Sequence, residues 1–263
     1  MSEKNATEDL SDPDMMKTLA NINNYLFKHP EIKKGSWGSD KSLKNIYPIL
    51  VRGELFPKGF KKSKFKYMNI GAGDGKVFLK DIEFLQKEFP GVKIEATNRD
   101  IKDYISKKIK DMISDTGANY IFQHISQDPL EHYDLIVAKV SLHHIPFAEK
   151  LINKLDSKYI LIREPDVRNE EDLHMQTVEH IIYHFIESDE RKYMTKNKMK
   201  DYFNNFENNT GEFSNKSDNY FSRDYWVNIF KNANYKSIKN NNKKKYNHPN
   251  NPTQVYRELF IKK

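Results

Sequence analysis

Short apolar segments alternate with segments of helical spacing after residue 60, and this alternation limits the choice of fold more than any other feature of the sequence. Alternating strands and helices predict a mostly parallel sheet with right-handed crossovers. In such a sheet, ligands bind beyond the carboxyl ends of the strands, where the strand order reverses. The predicted strands cover 66–70, 91–98, 118–125, 133–142, 158–164, 236–239 and 254–263, and the predicted helices cover 76–89, 101–115, 148–155, 173–188 and 223–235.

Three of the ten glycines, Gly71, Gly73 and Gly75, stand at alternate positions in "YMNIGAGDGKVFL", between the first predicted strand and the first helix. A turn needs residues without a β-carbon when the backbone must bend sharply and a ligand must touch it. The dinucleotide fingerprint G-x-G-x-x-G does not fit, because its third glycine position is Lys76. The spacing is G-x-G-x-G, and it indicates a ligand-binding turn.

A G-x-G-x-G turn after the first strand resembles the cofactor loop of class I S-adenosylmethionine-dependent methyltransferases. The resemblance implies an α/β, Rossmann-like fold: a mostly parallel seven-stranded sheet flanked by helices, with an antiparallel C-terminal strand. It implies S-adenosylmethionine as the cofactor, S-adenosylhomocysteine as the product, and Gly71, Gly73 and Gly75 as cofactor-binding residues.

Further cofactor-binding residues follow from the same resemblance. The family usually has an acidic residue at the end of the second strand, for the ribose hydroxyls. Here Asn98 holds that position, which is a departure, and Asp100 is the alternative two residues later. "YDLIVAKVSLHHI" resembles the fourth-strand motif, in which Lys139 and Val140 flank the cofactor, and Ile125, the last residue of the third predicted strand, completes the predicted set.

Four other segments resemble the messenger-RNA cap (guanine-N7) methyltransferases of viruses and linear plasmids. They are "SLHHI", "YILIREPD" with the helix after it, "YFSRDYWVNIF" and "NPTQVYRELFIKK". The sequence departs from that pattern where Pro165 replaces a His and His144 replaces a Tyr. The resemblance implies methyl transfer to the guanine of GpppRNA, with the capped RNA 5′ end and other capping-enzyme domains or subunits as partners. The implied substrate-binding residues are His143, His144, Tyr183, Tyr256 and Arg257.

The chemistry of this substrate sets what the site needs. Guanine N7 carries a lone pair and no proton, so its methylation needs positioning and no general base. We therefore expect no catalytic acid or base and no metal. Core packing is the alternative role for Tyr183, and ordinary buried histidines are the alternative for His143 and His144.

Three other functions remain open from the sequence. A class I methyltransferase acting on a small molecule or a protein would share the glycine turn and "SLHHI". A non-catalytic, methyltransferase-like subunit of a capping enzyme would explain Asn98 and Pro165. A ribose 2′-O-methyltransferase is less well supported, because Lys139 and Glu164 supply only part of the required constellation.

Composition and charge complete the prediction. The chain has no cysteine, which excludes disulfides and thiolate metal sites, and its net charge of +7 suits a polyanionic partner. The polar, acidic start lacks the layout of a signal peptide, and no apolar run is long enough to span a membrane. We expect a cytoplasmic protein, either in the host cytoplasm or in a viral factory. The predicted organisation is a disordered tail at 1–15, a helical arm at 16–60 and a methyltransferase domain at 61–263, with a polar insertion at 189–219.

Overall fold

The computed structural model describes residues 62–127, 131–168, 221–240 and 255–263. The chain divides into two compact units, and nearly all of these residues belong to the unit formed by Asp40–Glu164, Phe221–Lys245 and Val255–Lys263. The predicted tail, helical arm, long helix at 173–188, polar insertion and Tyr183 lie outside the described residues.

The described residues form one seven-stranded sheet with the strand order β3-β2-β1-β4-β5-β7-β6. The pairs β1–β2, β2–β3, β1–β4 and β4–β5 are parallel, and β6 and β7 are antiparallel. This arrangement confirms the predicted fold class. The strands are β1 Lys64–Ile70, β2 Lys93–Asp100, β3 Asn119–His124, β4 Tyr133–Lys139, β5 Ser157–Pro165, β6 Tyr235–Asn240 and β7 Val255–Lys262.

Four α-helices and a short 3₁₀ turn connect these strands within the described ranges. The helix predicted at 101–115 is shorter than expected, because the Ser106 side chain accepts from the backbone N–H of Ile109 and caps a helix that starts at Lys107. The fourth strand ends at Lys139 instead of 142. The helices are α1 Lys76–Glu88, α2 Lys107–Asp115, α3 Ala148–Lys154 and α4 Arg223–Asn232, and the 3₁₀ turn is Leu142–His144.

Apolar side chains cover both faces of the sheet, as expected for parallel strands with helices on either side. Successive residues of β1 point to opposite faces, so Tyr67 packs in a cluster with Phe78 of α1, while Met68 packs in a second cluster with Trp226 of α4. No described helix is long and apolar enough to cross a membrane.

The strand order reverses beside β1. The chain adds β2 and then β3 on one side of β1, and β4 on the other. The crevice beyond the carboxyl ends of β1 and β4 is therefore the place where ligands bind in sheets of this kind. The turn with the three alternate glycines starts there, directly after Ile70, the last residue of β1.

Candidate cofactor and active site

The glycine turn has a backbone that other residues adopt only with strain. Gly71, Gly73 and Gly75 have φ angles of 72°, 55° and 81°. These values lie in the left-handed region, which glycine enters without steric cost. The Gly71 N–H donates to the carbonyl of Arg99 at 2.9 Å, which ties the start of the turn to β2.

The three glycines differ in what surrounds them. A β-carbon on Gly71 would lie 2.6 Å from Cβ of Ser141, and one on Gly75 would lie 2.9 Å from the Ile105 side chain. A β-carbon on Gly73 would have no atom of the described residues within 4 Å. Packing therefore explains Gly71 and Gly75, whereas Gly73 faces open space at the middle of the turn.

Asp100 presents a carboxylate beside Gly73. It is the last residue of β2, and the backbone amides of Ile101 and Gly73 both hydrogen-bond its carboxylate. Burial raises the pKa of Asp100 to about 6, although these amides and the nearby His144 partly offset the effect. The carboxylate is thus held beside Gly73 at a cost in solvation.

Asn98, the first sequence choice for the ribose, lies deeper. It is fully buried and pairs across the sheet with Asn69 of β1 and Phe122 of β3. Its amide nitrogen and oxygen make no hydrogen bond of standard geometry to the part of the chain that the structure describes, although the Tyr120 hydroxyl is close enough to interact. A buried amide in this condition is unusual and needs a reason.

Ile125 lies next to Asp100, because its N–H donates to the Asp100 carbonyl at 2.9 Å. Arg99 anchors the segment after β3 that begins with Ile125. Its guanidinium donates to the Ile125 carbonyl at 3.0 Å and also contacts the carbonyl of Gln127. The predicted residues Gly73, Asp100 and Ile125 are thus brought together at the carboxyl ends of adjacent strands.

Lys139 takes part in a buried polar group that sequence analysis did not foresee. Its ammonium forms an ion pair with the carboxylate of Asp81 in α1, and both side chains are buried, at 4% and 0% exposure. The Tyr67 hydroxyl donates to the same carboxylate oxygen at 2.6 Å. An acidic residue on an amphipathic helix normally faces water, so only its position in the second turn of α1, beside the buried Ile82, could have indicated that Asp81 is buried.

Val140 has a φ angle of 57°, an outlier for a β-branched residue. Its N–H donates to the carbonyl of Arg163 at 2.6 Å. The next residue, Ser141, donates its hydroxyl to the Ile70 carbonyl at 2.7 Å. The backbone after β4 is therefore strained and tied to the glycine turn, at the position predicted to flank the cofactor.

His143 and Glu164 form a buried dyad that the sequence analysis missed. Nδ1 of His143 lies 2.7 Å from one carboxylate oxygen of Glu164, and the other oxygen accepts the backbone N–H groups of Ser141 and Leu142, each at 2.9 Å. A carboxylate only accepts hydrogen bonds, so Nδ1 carries a proton, and in the neutral form of the ring the lone pair would be on Nε2. His143 follows β4 and Glu164 lies near the carboxyl end of β5, the parallel strand next to it, and this placement was the available signal.

The predicted substrate residues are distributed unevenly. The rings of His143 and His144 are 4.0 Å apart, and His144 lies near Asp100. Tyr256 is 3% exposed and packs in the second core cluster, so its placement lends no support to stacking on a base. Arg257 is half-buried on β7. In the described ranges no group of three His, Cys, Asp or Glu side chains is arranged to hold a metal ion.

No protein-family model and no curated protein sequence matches the chain. Solved structures with a similar fold include several methyltransferases. One is the carbon methyltransferase CurJ, at 14% identity and a TM-score of 0.49 over 79% of this chain and 51% of that one. The chain therefore spans about half the length of that protein.

Two further structures cover most of both chains. The plantazolicin methyltransferase BpumL, solved with a triazolic desmethylPZN analogue and SAH, has 14% identity and a TM-score of 0.48, over 98% of this chain and 95% of that one. An S-adenosylmethionine-dependent methyltransferase from Mesorhizobium loti has 11% identity and a TM-score of 0.42, over 76% of this chain and 91% of that one. Identities this low bear on the fold alone.

Proposed function

We propose that the chain is an S-adenosylmethionine-dependent methyltransferase. One observation carries the proposal: Gly73 leaves open space at the middle of a left-handed turn, beside the Asp100 carboxylate, at the point where the strand order reverses. A cofactor with a ribose and a nearby positive charge fits a site that combines exposed backbone with a carboxylate.

The residues around this space have the chemistry that such a cofactor needs. The Asp100 carboxylate would accept hydrogen bonds from the ribose hydroxyls, a stronger interaction than Asn98 alone could provide. The buried amide of Asn98, two residues before Asp100 on β2, supplies a hydrogen-bond donor and an acceptor. Ile125 offers an apolar side chain beside Asp100 for the adenine, and Val140 offers strained backbone from the other side.

When bound, the cofactor supplies a methyl group on a sulfonium. Gly73 and Asp100 would hold the cofactor, and the lone pair of the acceptor would take up the methyl group. The task of this chain is to hold the acceptor in line and exclude water.

For the acceptor, we propose the terminal guanine of a capped RNA at N7. The support comes from the segments "SLHHI", "YFSRDYWVNIF" and "NPTQVYRELFIKK" and from the net charge of +7. Of the predicted substrate residues, His144 is the one placed beside Asp100 with part of its surface exposed. It is therefore the first candidate to contact the guanine.

Incubation with radiolabelled S-adenosylmethionine and capped, unmethylated RNA tests this proposal. We expect label on guanine N7 after nuclease digestion. The matched control is the same RNA with its N7 already methylated, which should accept nothing. Label on another atom, or on the control, would contradict the cap proposal while leaving the methyltransferase proposal intact. If no acceptor is labelled but a separate methyltransferase is stimulated, the chain is a non-catalytic subunit.

The His143–Glu164 dyad favours a second candidate, methyl transfer to an atom that must lose a proton. Glu164 fixes the ring so that Nε2 could accept a proton from an N–H, an O–H or an acidic C–H. Guanine N7 needs no such base. A small molecule or a protein side chain would then be the acceptor.

The dependence on pH of kcat/KM for the acceptor, measured at saturating S-adenosylmethionine so that protonation of Asp100 does not contribute, separates the two candidates. For N7 methylation we expect a shallow profile that changes little in His143→Gln. For an acceptor that loses a proton, the native rate should rise steeply with pH. His143→Gln should then lose about 10²–10⁴-fold in rate and flatten the profile. Glu164→Gln, which keeps the shape of the side chain, should show the same trend.

A further inference from the structure

Lys139 lies at the edge of the crevice proposed for a positively charged cofactor. It is the last residue of β4, and the preceding pair Ile70–Ala138 places it next to Gly71 at the start of the glycine turn. Its side chain is 4% exposed, so water screens the ammonium poorly. A cationic sulfonium in this crevice would be repelled by an uncompensated lysine.

Asp81 compensates the positive charge of Lys139. Its carboxylate is 0% exposed and forms the ion pair with Lys139 across the interface between α1 and β4. The Tyr67 hydroxyl holds the same oxygen at 2.6 Å, and the Asn69 amide donates to that hydroxyl at 3.2 Å. The carboxylate is therefore fixed in place by groups from β1 and β4, and the pair is neutral as a whole.

We propose that Asp81 compensates the charge of Lys139, so that the site accepts the positively charged S-adenosylmethionine as well as the neutral S-adenosylhomocysteine. The proposal rests on the proposed function, because it needs the cofactor to bind at the glycine turn. Asp81 then sets the relative affinity for the substrate and product forms of the cofactor. It does so although Asp81 is buried and lies six residues beyond Gly75 in the chain.

The test is the ratio of the two dissociation constants at pH 7, measured by calorimetry. In Asp81→Asn, Lys139 is uncompensated, and S-adenosylmethionine should weaken about tenfold more than S-adenosylhomocysteine, a difference of about 1.4 kcal/mol. In Lys139→Met, the uncompensated carboxylate should shift the ratio in the opposite direction. The double variant should return it to within about twofold of the native value.

Tyr67→Phe is the matched control, because it removes one hydrogen bond to Asp81 and no charge. It should weaken both ligands equally. A purely structural role of the ion pair would lower both affinities together in every variant, and a ratio that stays constant across the single variants overturns the proposal. If the native protein binds neither ligand, the proposed function itself fails, which is a different result.

Discussion

The polar groups at the glycine turn differ from those that join α4 to β6 and β7, the last two strands of the chain. Arg223 of α4 donates two hydrogen bonds to Glu258 of β7, at 2.9 and 2.8 Å, and Ser237 of β6 contacts the same carboxylate. In this group the guanidinium of Arg223 and the carboxylate of Glu258 form an ion pair within the fold. Beside the turn, by contrast, Asp100 is buried at a cost and Asn98 lacks a hydrogen bond of standard geometry among the described residues.

The contrast separates structural polar groups from those suited to a ligand. A satisfied buried pair stabilises one arrangement of helix and strands, and neither partner needs anything further. Buried groups with incomplete partners, together with a strained backbone at Val140, lower stability unless a ligand completes them. Substitutions in the two regions should therefore affect stability and cofactor affinity differently.

The largest effect on stability is expected at the packed end of the turn. Gly71→Ala puts a β-carbon 2.6 Å from Cβ of Ser141 at a φ angle of 72°. Backbone strain and overpacking together should cost about 3–5 kcal/mol of the free energy of unfolding, measured by urea denaturation. Gly91→Ala is the control, since its φ is 80° with nothing within 4 Å. It should cost only about 1–2 kcal/mol, and equal losses would contradict the packing argument.

Breaking the ion pair between Arg223 and Glu258 should lower the free energy of unfolding and leave the affinity for the cofactor unchanged. Arg223→Met leaves Glu258 buried without its main partner and should cost about 3 kcal/mol. This is the lower end for a buried pair, because 22% of the Arg223 side chain is exposed. Urea denaturation gives the loss, and calorimetry on the folded variant should give a native affinity for S-adenosylmethionine. A marked loss of affinity would remove the distinction between the two regions.

Asp100→Asn should have opposite effects on stability and affinity. Because the folded-state pKa is raised from 3.8 to about 6, folding favours the protonated carboxyl, and this contribution to stability is lost as the pH rises through 6. Asparagine removes the cost, so the variant should gain about 2–3 kcal/mol at pH 8 and almost nothing below pH 4.

The same variant should bind S-adenosylmethionine more weakly, and native affinity should fall as the pH drops through 6 and Asp100 takes up its proton. Denaturation and calorimetry at pH 5 and pH 8 check both effects. A gain in stability without any loss of affinity would move the ribose contact away from Asp100.

The smallest change in the free energy of unfolding is expected for a substitution at Val140. Glycine adopts its φ of 57° freely, so Val140→Gly should relieve strain of about 1–3 kcal/mol and lose part of this to chain entropy. We expect a net gain of about 1 kcal/mol by thermal or urea denaturation. A loss would show that the valine side chain contributes more through packing than its backbone costs.

The sequence predicted the fold well because its signals are local. Apolar runs marked the strands, and the amphipathic spacing of α1 marked its length to within one residue. The start of α2 was placed six residues too early, at 101, although Ser106 carried a capping signal. The helical pattern before it was misleading, because Asp103 instead anchors that loop by accepting from Ile105, Lys110 and Tyr120.

The candidate site could be predicted only in part, because its chemistry depends on contacts between distant residues. The glycine turn is one continuous segment and was recognisable. Asp81 and Lys139 are 58 residues apart and His143 and Glu164 are 21 apart, and no single segment of the sequence shows which residue contacts which. The choice between Asn98 and Asp100 likewise depends on which one faces Gly73, which the backbone of β2 decides.

A comparison of Gly73→Val with Gly91→Val tests whether the cofactor binds at Gly73. Both positions have positive φ and no atom within 4 Å of an added β-carbon, so the two variants carry similar backbone strain. Calorimetry should show that the native protein binds S-adenosylmethionine, that Gly91→Val binds within about twofold of native, and that Gly73→Val binds at least about tenfold more weakly. Equal affinities in the two folded variants, or no binding by the native protein, would contradict the account.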